Sequence, residues 1–290
     1  MCILFLYVAN NPSPDSYKVI LAVNRDEMYG RPTQVAKFWG TQPDILGGRD
    51  MQKGREGGTW LAMSKSGRIG ALLNVLQSAE SLSTASQRRG RGFLVNDFLL
   101  NPSVDAMQYL SKIYNSASEY NPFSLLTVDV LNRDIPQVCF YSCSGENKPH
   151  ELPSGTVHGI GNSFIDVPFQ KVKTGREAFA RVVNDNNRVD AKTTLINNIL
   201  EIMKNQQQFH PDPQMYRQAA DQPETFLRGI SSRFIKLPGY GTRTHTVILI
   251  DFYNNVSYEE ITLKEPICEN DAEWTTSSFD FKINENNNSH

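Results

Sequence analysis

The sequence predicts an α+β protein in which two sheets pack face to face with helices on the outside. Three observations lead there. Strand-like and helix-like segments follow one another in the order strands, helices, strands, helices, strands, with no repeat of 20–50 residues. The strand-like segments are short apolar runs closed by Pro, Asn and Gly turns. Apolar residues make up 39% and charged residues 21% of the 290 positions, enough for a sizeable core and too apolar for a disordered chain.

Taken in order, residues 2–9 and 17–23 form a first hairpin across the turn Asn10-Asn11-Pro12-Ser13-Pro14-Asp15. A loop carrying Gly40, Gly47, Gly48, Gly54, Gly57 and Gly58 follows. Residues 59–63 and 68–75 make a second hairpin across Ser64-Lys65-Ser66-Gly67. Phe93, Phe98 and Leu99, then Val104, Met107, Leu110 and Ile113, recur near the helical period, with Asn101-Pro102 between the two helices. Strands return at 123–131 and 136–142, joined across Asn132-Arg133-Asp134. Helices are expected over 168–184 and 190–208, the second with Leu195, Ile199, Ile202 and Met203 on one face. Residues 211–238 are punctuated by Pro, and a last hairpin runs 244–251 and 256–263 across Asn254-Asn255. One domain over 1–275 is expected, with 276–290 a polar, Asn-rich, loose tail.

Lys plus Arg is 29 and Asp plus Glu is 31, a balance that argues against a nucleic-acid partner or a broad acidic-membrane surface. The longest apolar run, residues 2–9, is far shorter than the ~20 residues of a membrane helix. Four cysteines do not make a disulfide scaffold, and Cys139 and Cys143 have no His at a metal-ligand spacing. The first residues have neither the basic region nor the cleavage pattern of a signal peptide, so an intracellular, non-secreted protein is expected.

Cys2 is the most informative position. Removal of Met1 before this small residue puts an α-amine and a thiol on one residue, with ordinary pKa values of ~7.7–8.0 and ~8.5. The amine then serves as base for its own side chain. Position alone fits a small hydrophobe opening a buried strand better. Asn24-Arg25-Asp26-Glu27 follows the second strand, so the hairpin brings charges to Cys2. An Arg there lowers a thiol pKa and a carboxylate holds an ammonium; an exposed polar turn is the competing reading. Asn74 ends an apolar strand and offers an oxyanion donor or a loop pin. Asn162 is a donor in a Gly-flexible segment or a turn residue. Arg243, where a loop meets the last hairpin, clamps an anion or makes a structural ion pair. Arg88, Arg89 and Arg91, with Gly90 and Gly92 between them, face a carboxylate, a phosphate or an anionic lipid, or form a solvated charged face.

Five segments together are more specific than any one of them: Met1-Cys2-Ile3, Leu21-Ala22-Val23-Asn24-Arg25-Asp26-Glu27, Arg55-Glu56-Gly57-Gly58-Thr59-Trp60-Leu61-Ala62, Arg89-Gly90-Arg91-Gly92 and Pro238-Gly239-Tyr240-Gly241-Thr242-Arg243-Thr244. Their order and spacing resemble the Transport and Golgi organization protein 2 (NRDE) family, from residue 1 to about 275. That family is similar to N-terminal nucleophile hydrolases of the choloylglycine hydrolase kind. The resemblance implies a four-layer αββα sandwich. It also implies a site built from Cys2 as nucleophile with Arg25, Asp26, Asn74, Asn162 and Arg243. Arg25 and Asp26 are adjacent here, and neighbouring strand residues point to opposite faces. At most one of them therefore faces Cys2 unless the strand has ended.

The resemblance further implies intracellular haem trafficking, in the cytoplasm and in association with mitochondria or Golgi, with haem as non-covalent cargo passed to acceptor proteins. His158 and His245 are the expected axial ligands, with Cys2 a third candidate, and Arg89 and Arg91 face the propionates. No cofactor is required for chemistry. The alternatives are a Cys2-dependent amidohydrolase or thioesterase acting on acyl-coenzyme A or another linear amide or thioester, with a role in lipid metabolism, and a non-catalytic adaptor in Golgi or secretory organisation.

Overall fold

A computed structural model describes residues 1–83, 88–131, 135–144 and 148–284. The turn expected at Asn132, Arg133 and Asp134 lies outside the described residues. Strands β1 (Ile3–Val8) and β2 (Tyr17–Met28) form the first hairpin, in the register Ile3 opposite Asn24 and Val8 opposite Val19. β3 (Thr33–Phe38), β4 (Ile45–Asp50), β5 (Leu61–Ser64) and β6 (Arg68–Asn74) follow as a meander. After a single-turn helix α1 (Ala79–Ser83) come α2 (Phe93–Leu100) and α3 (Ala106–Ser116). Next are β7 (Phe123–Asp129), β8 (Gln137–Ser142), β9 (His150–Glu151) and β10 (Val157–Ile160). Helices α4 (Gln170–Asn186), α5 (Lys192–Met203), α6 (Pro213–Ala219) and α7 (Glu224–Gly229) lead to β11 (Lys236–Leu237), β12 (Tyr240–Asp251), β13 (Asn255–Leu263) and β14 (Trp274–Lys282).

Among the described residues the strands make two seven-stranded antiparallel sheets. The first has the order β10-β1-β2-β12-β13-β14, with β11 paired to β12; the second runs β3 to β9 in sequence order. Period-2 alternation sorts the side chains into layers. Leu4, Leu6, Leu21 and Val23 of the first sheet meet Ile69, Leu73, Leu126 and Phe140 of the second. Ile3, Phe5, Ile20, Ala22 and Leu249 point the other way, onto Phe179 and Val183 of α4 and Leu195 and Ile199 of α5. Leu94, Phe98, Leu110 and Ile113 of α2 and α3 cover Leu72, Leu125 and Tyr141 of the second sheet. The result is the expected αββα sandwich.

Four expectations change. The Gly-rich segment expected as a loop contains the β3–β4 hairpin. Gly47 reads as a turn residue but marks a close approach: a Cβ there would lie 2.7 Å from the Ala62 Cβ. Strand β2 does not end before Asn24 but runs on to Met28, because β12 pairs with it along its whole length. The second helix of its pair stops at Met203, where Asn205 turns to accept the Phe234 amide. The stretch expected as a loose tail from 276 is strand β14 through Lys282. Its rings Phe279 and Phe281 pack on Phe38 at 5.8 and 5.6 Å, and Ile283 is buried beyond it. Only alternate positions there are apolar, and polar neighbours mask them in composition.

Glu260 on β13 is buried in the sandwich, where its carboxyl accepts the Ala36 amide at 2.7 Å. Burial pushes its pKa up to about 7, against the pull of that amide and of Arg25. The ordinary value is ~4.3, so the folded chain binds more protons than the unfolded chain between those two values. Stability therefore falls as pH rises through this window, and the full penalty, of the order of 3 kcal/mol, stands above about pH 7. In Glu260→Gln, urea unfolding at pH 5 and pH 8 should show most of this pH dependence gone and the variant more stable than wild type at pH 8. Equal pH slopes in the two proteins would refute the assignment.

Candidate functional site

Cys2 sits just before β1, with its thiol on the inter-sheet side together with Leu4, whereas Met1 is buried on the helix side. The thiol accepts the Asp26 amide at 3.4 Å and lies 3.9 Å from the Asp26 carbonyl oxygen. Burial pushes the thiol pKa up, and the neighbouring amine and Arg25 only partly oppose it. Cys2 is therefore a protonated thiol near neutral pH.

Strand alternation separates the adjacent charges. Arg25 turns into the sandwich: its guanidinium lies 4.1 Å over the Trp60 ring, donates to Thr33 Oγ1 at 3.2 Å and is 3.8 Å from Glu27. Asp26 turns to the helix layer, where Oδ1 accepts from Thr242 at 2.6 Å and Oδ2 lies 4.0 Å from the Met1 amine. That amine also donates to the Tyr240 hydroxyl. Lys171 of α4 stands behind Asp26, donating to the carbonyls of Ile230 and Ser232 at 2.8 and 3.0 Å, and burial lowers its pKa to about 8. Both charges thus lie near Cys2, but only Arg25 shares its side-chain face.

A cavity of about 260 Å³ opens onto Cys2, lined by Arg25, Arg31, Arg55, Arg91, Trp60 and Asn74 among others. Two glycine-rich motifs build its wall. The Thr59 amide donates to the Gly92 carbonyl at 3.0 Å, so the segment before Trp60 and the segment entering α2 lie against each other. Gly90 leaves room for Arg55 to cross it, since a Cβ there would sit 1.9 Å from a guanidinium nitrogen. Arg31 has counter-ions, making a fork to Asp50 at 2.6 and 3.1 Å and lying 3.7 Å from Glu27. Arg91 and Arg55 make no ion pair among the described residues. Arg91 donates to Asn74 Oδ1 at 2.9 Å, and burial lowers its pKa to about 10. The Arg55 guanidinium makes neither an ion pair nor a hydrogen bond among the described residues. Four guanidinium groups thus line the cavity against the carboxylates of Glu27 and Asp50, with Asp26 turned away.

The other expected site residues lie elsewhere. Asn162 is fully buried and donates to the Asn74 carbonyl, while its own carbonyl accepts from Leu76 at 2.8 Å; it pins the chain after β6. Arg243 clamps the turn after β2, donating to the carbonyls of Met28 and Arg31 at 2.8 and 2.6 Å and to Glu265. Arg89 pairs outside the cavity with Glu119 at 2.8 Å. His158 is bonded to the Pro153 carbonyl at 2.7 Å, and burial lowers its pKa. His245 is 1% exposed, bonded to Asn24 at 2.7 Å and stacked between Phe234 and Trp274. Burial lowers the His245 pKa to about 3, so the ring is neutral. Neither histidine lines the cavity, which leaves both poorly placed as ligands to a cargo held there. Arg31 and Arg55 were missed as site residues. Arg55 lies inside a motif segment, but its role depends on its unpaired charge, which a sequence does not display.

No helix among the described residues is long and apolar enough to cross a membrane. The sequence family described as Transport and Golgi organisation 2 matches residues 1–265. The human Transport and Golgi organization protein 2 homolog is 35% identical over 284 residues, covering 98% of this chain and 99% of that one. The Drosophila melanogaster Transport and Golgi organization protein 2 is 30% identical over 270 residues, covering 91% and 92%. Among solved structures, a Caenorhabditis elegans N-acylethanolamine-hydrolyzing acid amidase ortholog superposes with a TM-score of 0.46 at 11% identity, over 86% of this chain and 92% of that one. The Cys2→Ala conjugated bile acid hydrolase of Clostridium perfringens gives 0.46 at 10% identity, over 98% and 97%. The match to the family across residues 1–265, and the near full-length relatives beside it, place this chain in the Transport and Golgi organisation 2 family.

Proposed function

We propose that this chain is an intracellular haem carrier whose Cys2 cavity holds the carboxylates of its cargo. The observation that carries the reading is the pair Arg55 and Arg91, two guanidinium groups facing one cavity and making no ion pair among the described residues. Both side chains are half-buried at the cavity, and an anionic ligand supplies the charge-assisted partner they lack. Haem has two carboxylates on an apolar body. The family resemblance supports haem over other dianions. A raised thiol pKa and an amine held by Asp26 suit carriage better than turnover.

A second reading, Cys2-dependent hydrolysis of an acyl-coenzyme A or a linear amide, draws on one observation: Cys2, Arg25 and Asn74 line the same cavity. It requires removal of Met1, so that the Cys2 amine becomes free to act as base. An adaptor role in Golgi organisation rests on the names of the relatives.

Titrating the purified chain with haemin and following its visible absorption tests the first reading. Arg55→Ala and Arg91→Ala should each weaken binding by about tenfold or more, the loss expected for a charge-assisted bond of roughly 1.5–3 kcal/mol. Arg89→Ala, outside the cavity, should bind as wild type does. Equal affinity in all four proteins would sink the proposal.

The state of Cys2 separates carrier from hydrolase. With iodoacetamide at pH 7, the exposed Cys268 should be alkylated well before Cys2, as mapped by mass spectrometry. Cys2→Ala should still bind haemin. Acyl-coenzyme A turnover by wild type that disappears in Cys2→Ala, with Met1 absent from the intact mass, would put the hydrolase first.

A further inference from the structure

The Cys2 cavity carries anions of its own, and they are held in different ways. Asp26 is turned to the helix layer and has the Met1 amine as its counter-ion. Asp50 is fully engaged: Oδ1 and Oδ2 take the two arms of the Arg31 fork at 3.1 and 2.6 Å, and Oδ1 also accepts the Gln52 amide at 3.1 Å. Glu27 stands two residues after Arg25 on β2 and so turns to the same face, where both line the cavity. Its Oε1 accepts the Met28 amide at 3.0 Å. Its Oε2 lies 3.8 Å from Arg25 and 3.7 Å from Arg31, between two guanidinium groups and beyond hydrogen-bonding distance of each. Glu27 is therefore a counter-ion by charge and not by bond. It is also partly buried, so its field is less screened than that of a surface carboxylate.

Building on the haem reading above, we propose that Glu27 is the cargo's built-in competitor, an anionic group that occupies Arg25 and Arg31 and limits how tightly a dianion is held at Arg55 and Arg91. The four guanidinium groups of the cavity attract such a ligand, and the Glu27 carboxylate beside them repels it. In a partly dry cavity that repulsion is several times stronger than in bulk water. It costs the cargo affinity without removing any contact that orients it, so its effect falls on release. A carrier needs this balance, since cargo passes only to an acceptor that binds it comparably or better.

The test is Glu27→Gln in the full chain, titrated with haemin and with haemin dimethyl ester, whose capped carboxylates carry no charge. The side-chain amide keeps an oxygen for the Met28 amide and removes the charge alone. Haemin should bind the variant about tenfold more tightly and pass from it to apomyoglobin about tenfold more slowly. The dimethyl ester should bind wild type and variant alike. Glu119→Gln removes the same charge outside the cavity, from the pair with Arg89, and should bind haemin as wild type does. Unchanged or weaker haemin binding in Glu27→Gln, or an equal gain for the dimethyl ester, overturns this role of Glu27 while leaving haem carriage standing. An equal gain in Glu119→Gln reduces the effect to net charge and likewise overturns it. No haemin binding by wild type refutes haem carriage and the role of Glu27 together.

Discussion

β2 and β12 pair over eleven positions, and the arrangement around Cys2 depends on one irregularity in that ladder. Thr242 stands opposite Asp26 and Thr244 opposite Arg25, so Arg243 is an extra residue on β12, a bulge. A regular ladder would continue the alternation on β12 past the end of the sandwich. The bulge instead turns Arg243 sideways onto the carbonyls of Met28 and Arg31, which fixes the turn after β2. That turn carries Arg31 to Asp50 and so closes the cavity wall opposite Cys2. Alternation on β2 does the rest, giving Arg25 to the cavity and Asp26 to the helix layer.

Much of the fold could be read locally. The first and last hairpins follow from apolar runs and turn chemistry; Asn254 indeed takes a positive φ of 68° at the last turn. The sequence was silent where the outcome depends on distant partners. Nothing near Asn24 announces that β12, more than two hundred residues away, will pair along the NRDE segment and keep it extended. Gly47 signals a turn in isolation and becomes a strand residue because Ala62 needs the space. β14 hides its apolar half among Thr, Ser and Asp, as expected for a strand with only one face packed.

The site shows the same division. Cys2, Arg25, Arg55 and Arg91 of the motif segments, together with Asn74, border one cavity. A motif identifies residues and does not say which way they face. Arg243 lies in a matching segment and Asn162 outside them; Asn162 donates to a backbone carbonyl, and Arg243 to two carbonyls and Glu265. The histidines, attractive as iron ligands by residue type, are consumed by Pro153 and Asn24. What distinguishes Arg55 and Arg91 is that neither makes an ion pair among the described residues, a property of three-dimensional neighbours alone.

The contact between Gly58 and Gly92 bears on how this protein tolerates sequence change. A Cβ on Gly58 would come 3.2 Å from the Gly92 Cα, and the reverse substitution meets the Gly58 Cα at the same distance. Both are backbone atoms, so neither side can move aside cheaply. A methyl group at either position asks the two backbones to give by a few tenths of an ångström, shifting the segment before β5 against the start of α2. Such a shift would leave isoelectric point and cation count untouched while moving the wall that carries Arg55 and Arg91. Damage to this protein can therefore arrive through its smallest residues, and would escape any inventory of lost functional groups.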